Sequence, residues 1–266
     1  MDDFILTFCQ QWIHLYALPP DGVQQSLGDT PIELDPIAQH RWPYRIDTLI
    51  ILARRPHPLL RQLRPSSTSP KSHPTPICVL LRFDSWFPWP VNILHHFILP
   101  PNPHFDPHTY TRVRPGTLEP PRELPYLRSS HPVPLKPYLV DSMPSPIRLF
   151  TPTDMVIGPY GTALWLDAQT DPIALSQAGD RGQRIAGKVL RWPPPPAEET
   201  NGPRHAVDLQ VQLSEGDTNA GHGWKSGMVF HLREENEEWG RLAVCEDEGR
   251  IAVSCVDGRI LVYDYT

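Results

Sequence analysis

The sequence predicts a mainly β protein. Small antiparallel sheets stack face to face in a propeller-like array, complete or incomplete, behind a proline-rich, loop-rich N-terminal half that opens with a short helix. Three observations carry that expectation. Punctuation changes along the chain: 26 of the 34 prolines lie in residues 1–150, and 13 of the 16 glycines lie after 150. Proline fixes φ and removes a donor, which suits extended edges and rigid loops, whereas glycine supplies the positive φ of tight hairpin turns. The runs of the second half are apolar on both alternating faces. One hairpin also recurs: "MVIGPYGTALWLDAQ" (155–169) superposes without gaps on "AVSCVDGRILVYDYT" (252–266), an offset of 97 residues.

In chain order, Phe4, Ile5, Phe8, Cys9, Trp12, Ile13 and Tyr16 recur at helical spacing, predicting an amphipathic helix over 3–17 closed by Pro19-Pro20. "YRIDTLIILARR" (44–55) is compatible with helix or strand. "RPSSTSPKSHPTP" (64–76) has linker composition and ends a first region, 1–76, ahead of a β-rich region, 77–266. "ICVLLRF" (77–83) reads as a strand and "VNILHHFIL" (91–99) as a strand or short helix; then prolines recur every few positions for some forty residues. The remainder reads as strands at 147–150, 154–158, 162–168, 184–190, 206–213, 227–232, 241–246, 250–256 and 259–265. Turns fall at "GPYGT", "EDEGR" and "VDGR". In "GPYGT" a three-residue loop places Pro159 where it is tolerated and Gly161 at the left-handed position, a type I turn with a bulge. "VDGR" admits a two- or a three-residue loop.

Side chains alternate faces along a strand. In the last hairpin, one set is Ile251, Val253 and Cys255 and the other Ala252, Ser254 and Val256; the return strand sets Ile260, Val262 and Asp264 against Leu261, Tyr263 and Tyr265. An antiparallel sheet wetted on one side alternates apolar with polar. Here neither set is polar, so both sides of 251–263 are expected to be covered, as in the middle of a stack or in a propeller blade. The offset of 97 is about twice a ~40–50 residue blade period, which places one further blade, around "RIAGKVL" and "AVDLQVQL", between the two copies. "RLAVCEDEGRIAVSCVDGRILVYDYT" resembles the three inner strands of a WD-repeat blade, with "VYDY" where such repeats carry their Trp-Asp pair. That resemblance implies that an upstream strand, from 1–20 or 77–99, completes the sheet and covers its edge. A terminal β-meander on an α+β domain is the alternative.

Composition narrows the function classes. A net charge of −6 and a pI near 6.0 argue against nucleic acid or an anionic membrane as partner, since both need a cationic field. Between Asp47 and Asp84 there is no acid, while Arg54, Arg55, Arg61, Arg64, Lys71 and Arg82 fall there, which reads as a solvated basic linker. Cys9, Cys78, Cys245 and Cys255 are scattered without a C-x-x-C, favouring a reduced compartment. "MDDFILTFCQQW" opens with acids and its apolar run breaks early, so it is not a secretory signal. No apolar run approaches the ~20 residues of a membrane span. A soluble protein of cytoplasm or nucleus is the expectation.

No motif assigns a catalytic, cofactor or metal residue. "GQRIAGKV" (182–189) has Val189 where a phosphate loop needs Ser or Thr, and it neither follows an apolar strand nor opens a helix. "GHGWKSG" (221–227) lacks dinucleotide-loop spacing. His95, His96, His104 and His108 are dense, yet the prolines of "PPNPHFDPHTY" forbid the helix that would converge His104 and His108 on zinc, and all four read as surface loop residues. No G-x-S-x-G occurs, no cysteine has a local activating partner, and "REENEE" (233–238) is a solvated charge run. The most unusual stretch is "FDSWFPWPVN" (83–92), in which Phe83, Trp86, Phe87 and Trp89 are locked by Pro88 and Pro90. Trp86, Phe87 and Trp89 are candidate anchors of an interaction surface, or the core of a proline-rich domain.

Four stretches together resemble the C-terminal region of F-box-type proteins of mushroom-forming fungi. They are "LLRFDSWFPWPVNILHHFILPPNP" (80–103), "IRLFTPTDMVIGPYGTALWLDAQTDP" (147–172), "GDRGQRIAG" (179–187) and "VCEDEGRIAVSCVDGRILVYDYT" (244–266). The resemblance implies a non-enzymatic substrate-recruiting region of a ubiquitin ligase receptor. Its partners would be a protein to be ubiquitinated and, in the family, a Skp-type adaptor held by an N-terminal F-box. "TPIELDPIAQH" (30–40) keeps Pro31, Glu33 and Leu34 of the F-box opening but breaks at Pro36, so adaptor docking does not carry over. The second expectation, from another class, is a propeller-type enzyme or ligand-binding protein with its site at the central opening.

Overall fold

The computed structural model describes residues 4–18, 33–53, 74–84, 93–107, 123–127, 135–145, 153–168, 182–190, 228–234 and 238–265. Among these the protein is mainly β, with fourteen strands, no helix, and several small antiparallel sheets. Sheet I holds β1 (Phe4–Phe8), β2 (Trp12–Ala17) and β3 (Ala38–Arg41). Sheet II holds β4 (Ile46–Ala53), β5 (Ile77–Phe83), β6 (Ile93–Leu99) and β7 (Tyr138–Pro144). Sheet III holds β8 (Met155–Ile157), β9 (Thr162–Ala168), β10 (Gln183–Val189) and β11 (Met228–Glu234). Sheet IV holds β12 (Trp239–Cys245), β13 (Arg250–Cys255) and β14 (Ile260–Asp264). Each sheet is a meander in which consecutive strands are neighbours.

The expected N-terminal helix is instead a hairpin, paired from Phe4↔Ala17 to Phe8↔Ile13 and turned where the Cys9 N–H donates to the Trp12 carbonyl at 2.7 Å. The same apolar positions that repeat at helical spacing also form two alternating runs, Phe4-Leu6-Phe8 and Ile13-Leu15, interrupted at Cys9–Gln11. Aromatic and β-branched residues favour the pleated surface, and both runs bury against sheet II. Among its described residues the first half holds two sheets, built by β1–β7, where few regular elements were expected. Its described prolines lie outside the strands, except Pro144 at the end of edge strand β7, where a missing donor is tolerated.

The ambiguous stretches at 44–55 and 91–99 resolve as strands β4 and β6. The runs at 77–83 and 162–168 coincide with β5 and β9, and the other second-half runs differ from β8 and β10–β14 by one to three residues at their ends. Those at 147–150 and 206–213 lie outside the described residues. "GPYGT" forms the expected three-residue loop: the Gly161 N–H donates to Gly158 O at 2.9 Å, the Gly158 N–H to Thr162 O at 2.8 Å, and Gly161 has φ 105°. "VDGR" adopts the same loop, with the Gly258 N–H on Cys255 O at 3.0 Å, the Cys255 N–H on Arg259 O at 2.8 Å, and Gly258 at φ 90°.

Three apolar clusters join the sheets in chain order. Ile13, Leu15 and Trp42 meet Val79, Leu81 and Phe97 between I and II. Leu80, Leu94 and Met143 meet Ala163 and Trp165 between II and III. Leu164, Leu166 and Ile185 meet Trp239, Ile251 and Val253 between III and IV. The first strands of II, III and IV lie side by side, β4 by β8 and β8 by β12. Two expectations fail here. "RIAGKVL" forms no separate blade, since β10 pairs with β9 along its whole length, from Gln183↔Ala168 to Val189↔Thr162. The two copies of the repeated hairpin therefore sit in consecutive sheets. Nor, among the described residues, does 1–20 or 77–99 pair with the edge of sheet IV: the described parts of these segments build β1–β2 and β5–β6, and β12 and β14 are the edge strands of the described sheet.

Candidate interaction surface

Trp86, Phe87 and Trp89 lie outside the described residues. The other sequence candidates are placed as follows. "GQRIAGKV" is strand rather than phosphate loop, with Gly187 paired opposite Leu164. "GHGWKSG" and His108 lie outside the described residues. His95 and His96 are not loop residues; they belong to β6. Burial holds the His95 imidazole down at about 4, and its Nδ1 lies 3.0 Å from the Ser142 hydroxyl. His96 Nε2 lies 3.4 Å from Cys78 Sγ with both side chains buried, so this pair puts no reacting atom at the surface. Arg82, counted in the basic linker, is a buried β5 residue. All four cysteines are free. Among the described residues no group of three or more His, Cys, Asp or Glu could hold a metal ion, and no helix is long and apolar enough to cross a membrane.

The outstanding surface feature is on sheet IV. Cross-strand partners share a face, so register sorts its side chains. Leu242, Val253 and Leu261 form one row, and Val244, Ile251 and Tyr263 another, all turned toward sheet III. The opposite face carries the rows Arg241–Ser254–Ile260, Ala243–Ala252–Val262 and Cys245–Arg250–Asp264. There Ile260 is 69 % exposed and Val262 61 %, with Val256 beside them in the turn at 71 %. This overturns the expectation that both sides of 251–263 are covered: one side is packed and the other is wet.

The rim of this face is charged. Arg250 Nε donates to Asp264 Oδ1 at 3.0 Å and its Nη1 lies 3.5 Å from Glu248. Arg259 pairs with Asp257 and reaches Glu238 at 3.2 Å. The Arg259 backbone N–H, donating to Asp257 Oδ1 at 3.0 Å, and its guanidinium hold the Asp257 carboxyl below the usual range. Exposed pairs of this kind contribute little stability; they fix the β13–β14 edge and bound the apolar centre.

The III–IV seam holds this face in place through side chains that grip backbone. Asp154 Oδ2 accepts the Leu242 N–H at 2.7 Å. Glu246 accepts the N–H groups of Tyr160 and, at 2.6 Å, Thr162. Gln183 makes a two-point contact with Trp239, Nε2–H to the carbonyl at 2.9 Å and N–H to Oε1 at 2.8 Å. At Gly158 a Cβ would stand 2.4 Å from Glu246 Cδ, so a side chain there would push the Glu246 carboxylate aside.

The wet face was missed because the alternation was read without its flanking charges. The return-strand set Ile260-Val262-Asp264 already ends on a charge, and extending the first-strand set back by one residue gives Arg250-Ala252-Ser254-Val256, whose Arg250 is the cross-strand partner of Asp264. A face carrying an ion pair and a serine is a solvent face. Comparison with family models, with curated proteins and with solved structures finds no match to this chain.

Proposed function

We propose that the chain is a non-enzymatic protein-interaction scaffold of the cytoplasm or nucleus, with a propeller-like array of sheets that presents the outer face of sheet IV to a protein partner. The observation that carries this reading is the exposure of Ile260 and Val262 on the outer face of β14 and of Val256 in the adjoining turn, each more than 60 %. Apolar side chains standing together in a charged rim are what protein interfaces use at their centre. The array is supported by four meanders joined in chain order, with β4, β8 and β12 side by side at their inner strands. The resemblance to fungal F-box proteins gives the partner its class, a protein recruited for ubiquitination; the broken "TPIELDPIAQH" places the Skp-type adaptor outside the proposal.

The test is site-specific photo-crosslinking from position 262 of the purified chain in eukaryotic cytosol, beside an Ile260→Glu/Val262→Glu double variant. A discrete protein adduct from the parent, lost in the double variant at unchanged thermal stability, supports the scaffold. An adduct pattern identical in both removes sheet IV as the docking face. Binding of a purified Skp-type adaptor to the chain would restore the ligase link that "TPIELDPIAQH" breaks.

A further inference from the structure

The seam between sheets II and III encloses a charged cluster that the proposed docking face does not use. Asp167, on β9, is 1 % exposed. Its Oδ2 accepts from Arg184 Nη2 of β10 at 3.2 Å. From β5, Arg82 Nη2 donates to the Ser145 hydroxyl at 2.7 Å, just past the end of β7. Ser145 and the Trp165 indole lie beside the Asp167 carboxyl and favour its charged form. Yet Oδ1 of Asp167, Nε of Arg82, Nε of Arg184 and Nε1 of Trp165 are each buried without a hydrogen-bond partner. Asp47 on β4 faces Arg82, and farther along the seam Lys188 of β10 pairs with Asp141 of β7.

A carboxylate in such a place is poorly satisfied. Removing its charge eliminates the unpartnered buried oxygen at the cost of the contact with Arg184, whose side chain is 33 % exposed and can be solvated, and of the attraction to buried Arg82, which Asp47 still supplies. We propose that Asp167 is a proton-operated latch of the II–III seam: neutral, it lets the two sheets close; ionised, it loosens them. Proton uptake and release at one carboxyl is the whole step.

Desolvation by burial raises the Asp167 carboxyl from 3.8 to about 6, outweighing Arg184, Ser145 and Trp165, which lower it. An acid whose folded pKa is raised binds its proton more tightly when folded. Its contribution therefore favours folding below about 4 and is lost as pH rises from there through about 6. Half-buried His95 acts in the opposite sense over the window from 6.5 down to about 4, so the parent is compared with Asp167→Asn rather than read alone. Between pH 5 and pH 7.5 the ratio of the two unfolding constants in urea is expected to move by about tenfold, the parent losing ground as pH rises. A ratio constant over that range overturns the latch. Should Asp167→Asn fail to fold, carboxyl carbon NMR of the parent decides: an aspartate titrating near pH 6, with amides of β9 and β10 exchanging faster above it after correction for intrinsic rate, supports the latch. All aspartates titrating below pH 5 overturn it.

Discussion

Residues 155–168 and 252–265 are two copies of one hairpin, with the same loop hydrogen bonds and the same positive-φ glycine, in opposite surroundings. Leu164 and Leu166 in the first copy and Leu261 and Tyr263 in the second meet in one cluster, so these faces pack toward each other across the III–IV seam. The remaining faces part company. Ala163, Trp165 and Asp167 are buried against sheet II, whereas their counterparts Ile260, Val262 and Asp264 face water. Both aspartates pair with an arginine, but from opposite sides: Asp167 takes Arg184 of the following strand β10, and Asp264 takes Arg250 of the preceding strand β13; the first carboxylate is buried and the second exposed. Hairpin formation is thus local, set by turn glycine and alternation, while the value of each outward side chain is set by what lies beyond the sheet.

The largest effect that tests this contrast is at the matched pair Trp165 and Val262. Trp165→Ala empties a site between sheets II and III and is expected to cost about 3–5 kcal/mol in urea unfolding. Glu246→Ala, which strips the N–H groups of Tyr160 and Thr162 of a charged acceptor, is expected to cost roughly 1.5–3 kcal/mol. Gly158→Ala pushes the same carboxylate aside instead of deleting it and is expected to cost about 1 kcal/mol, with no added cost when combined with Glu246→Ala, a non-additivity that a double-mutant cycle reads directly. Smallest is Val262→Ala, expected within about 0.5 kcal/mol of the parent. A Val262 cost equal to that of Trp165 would mean that the outer face of sheet IV is covered after all, and the contrast would vanish.

Local patterns were legible in the sequence wherever one residue type dictated one geometry. Gly161 and Gly258 located both turns, and the short apolar runs located β5 and β9. The N-terminal hairpin was not legible, because residues 4–16 satisfy a helical repeat and a broken twofold repeat alike, and only burial against sheet II selects between them. The number of sheets between the hairpin copies was misread for a different reason: an offset along the chain counts residues, and β10 spends its seven residues within sheet III. The wet face of sheet IV was hidden because apolar content on two faces was equated with cover on two faces. Ile260 and Val262 are apolar and exposed, and the signal for that exposure lay in their neighbours on the same face, Arg250, Ser254 and Asp264.

Gln183 has a mechanical consequence. Its amide holds both polar groups of the Trp239 backbone as a peptide unit would, so the start of β12 is spliced to sheet III by one rung of counterfeit ladder. A pull that slides sheet IV past sheet III must stretch both bonds of that rung together, whereas tension applied from the far side of β14 peels its pairs from β13 singly. Under load, the exposed hairpin strips away first and the spliced joint holds longest.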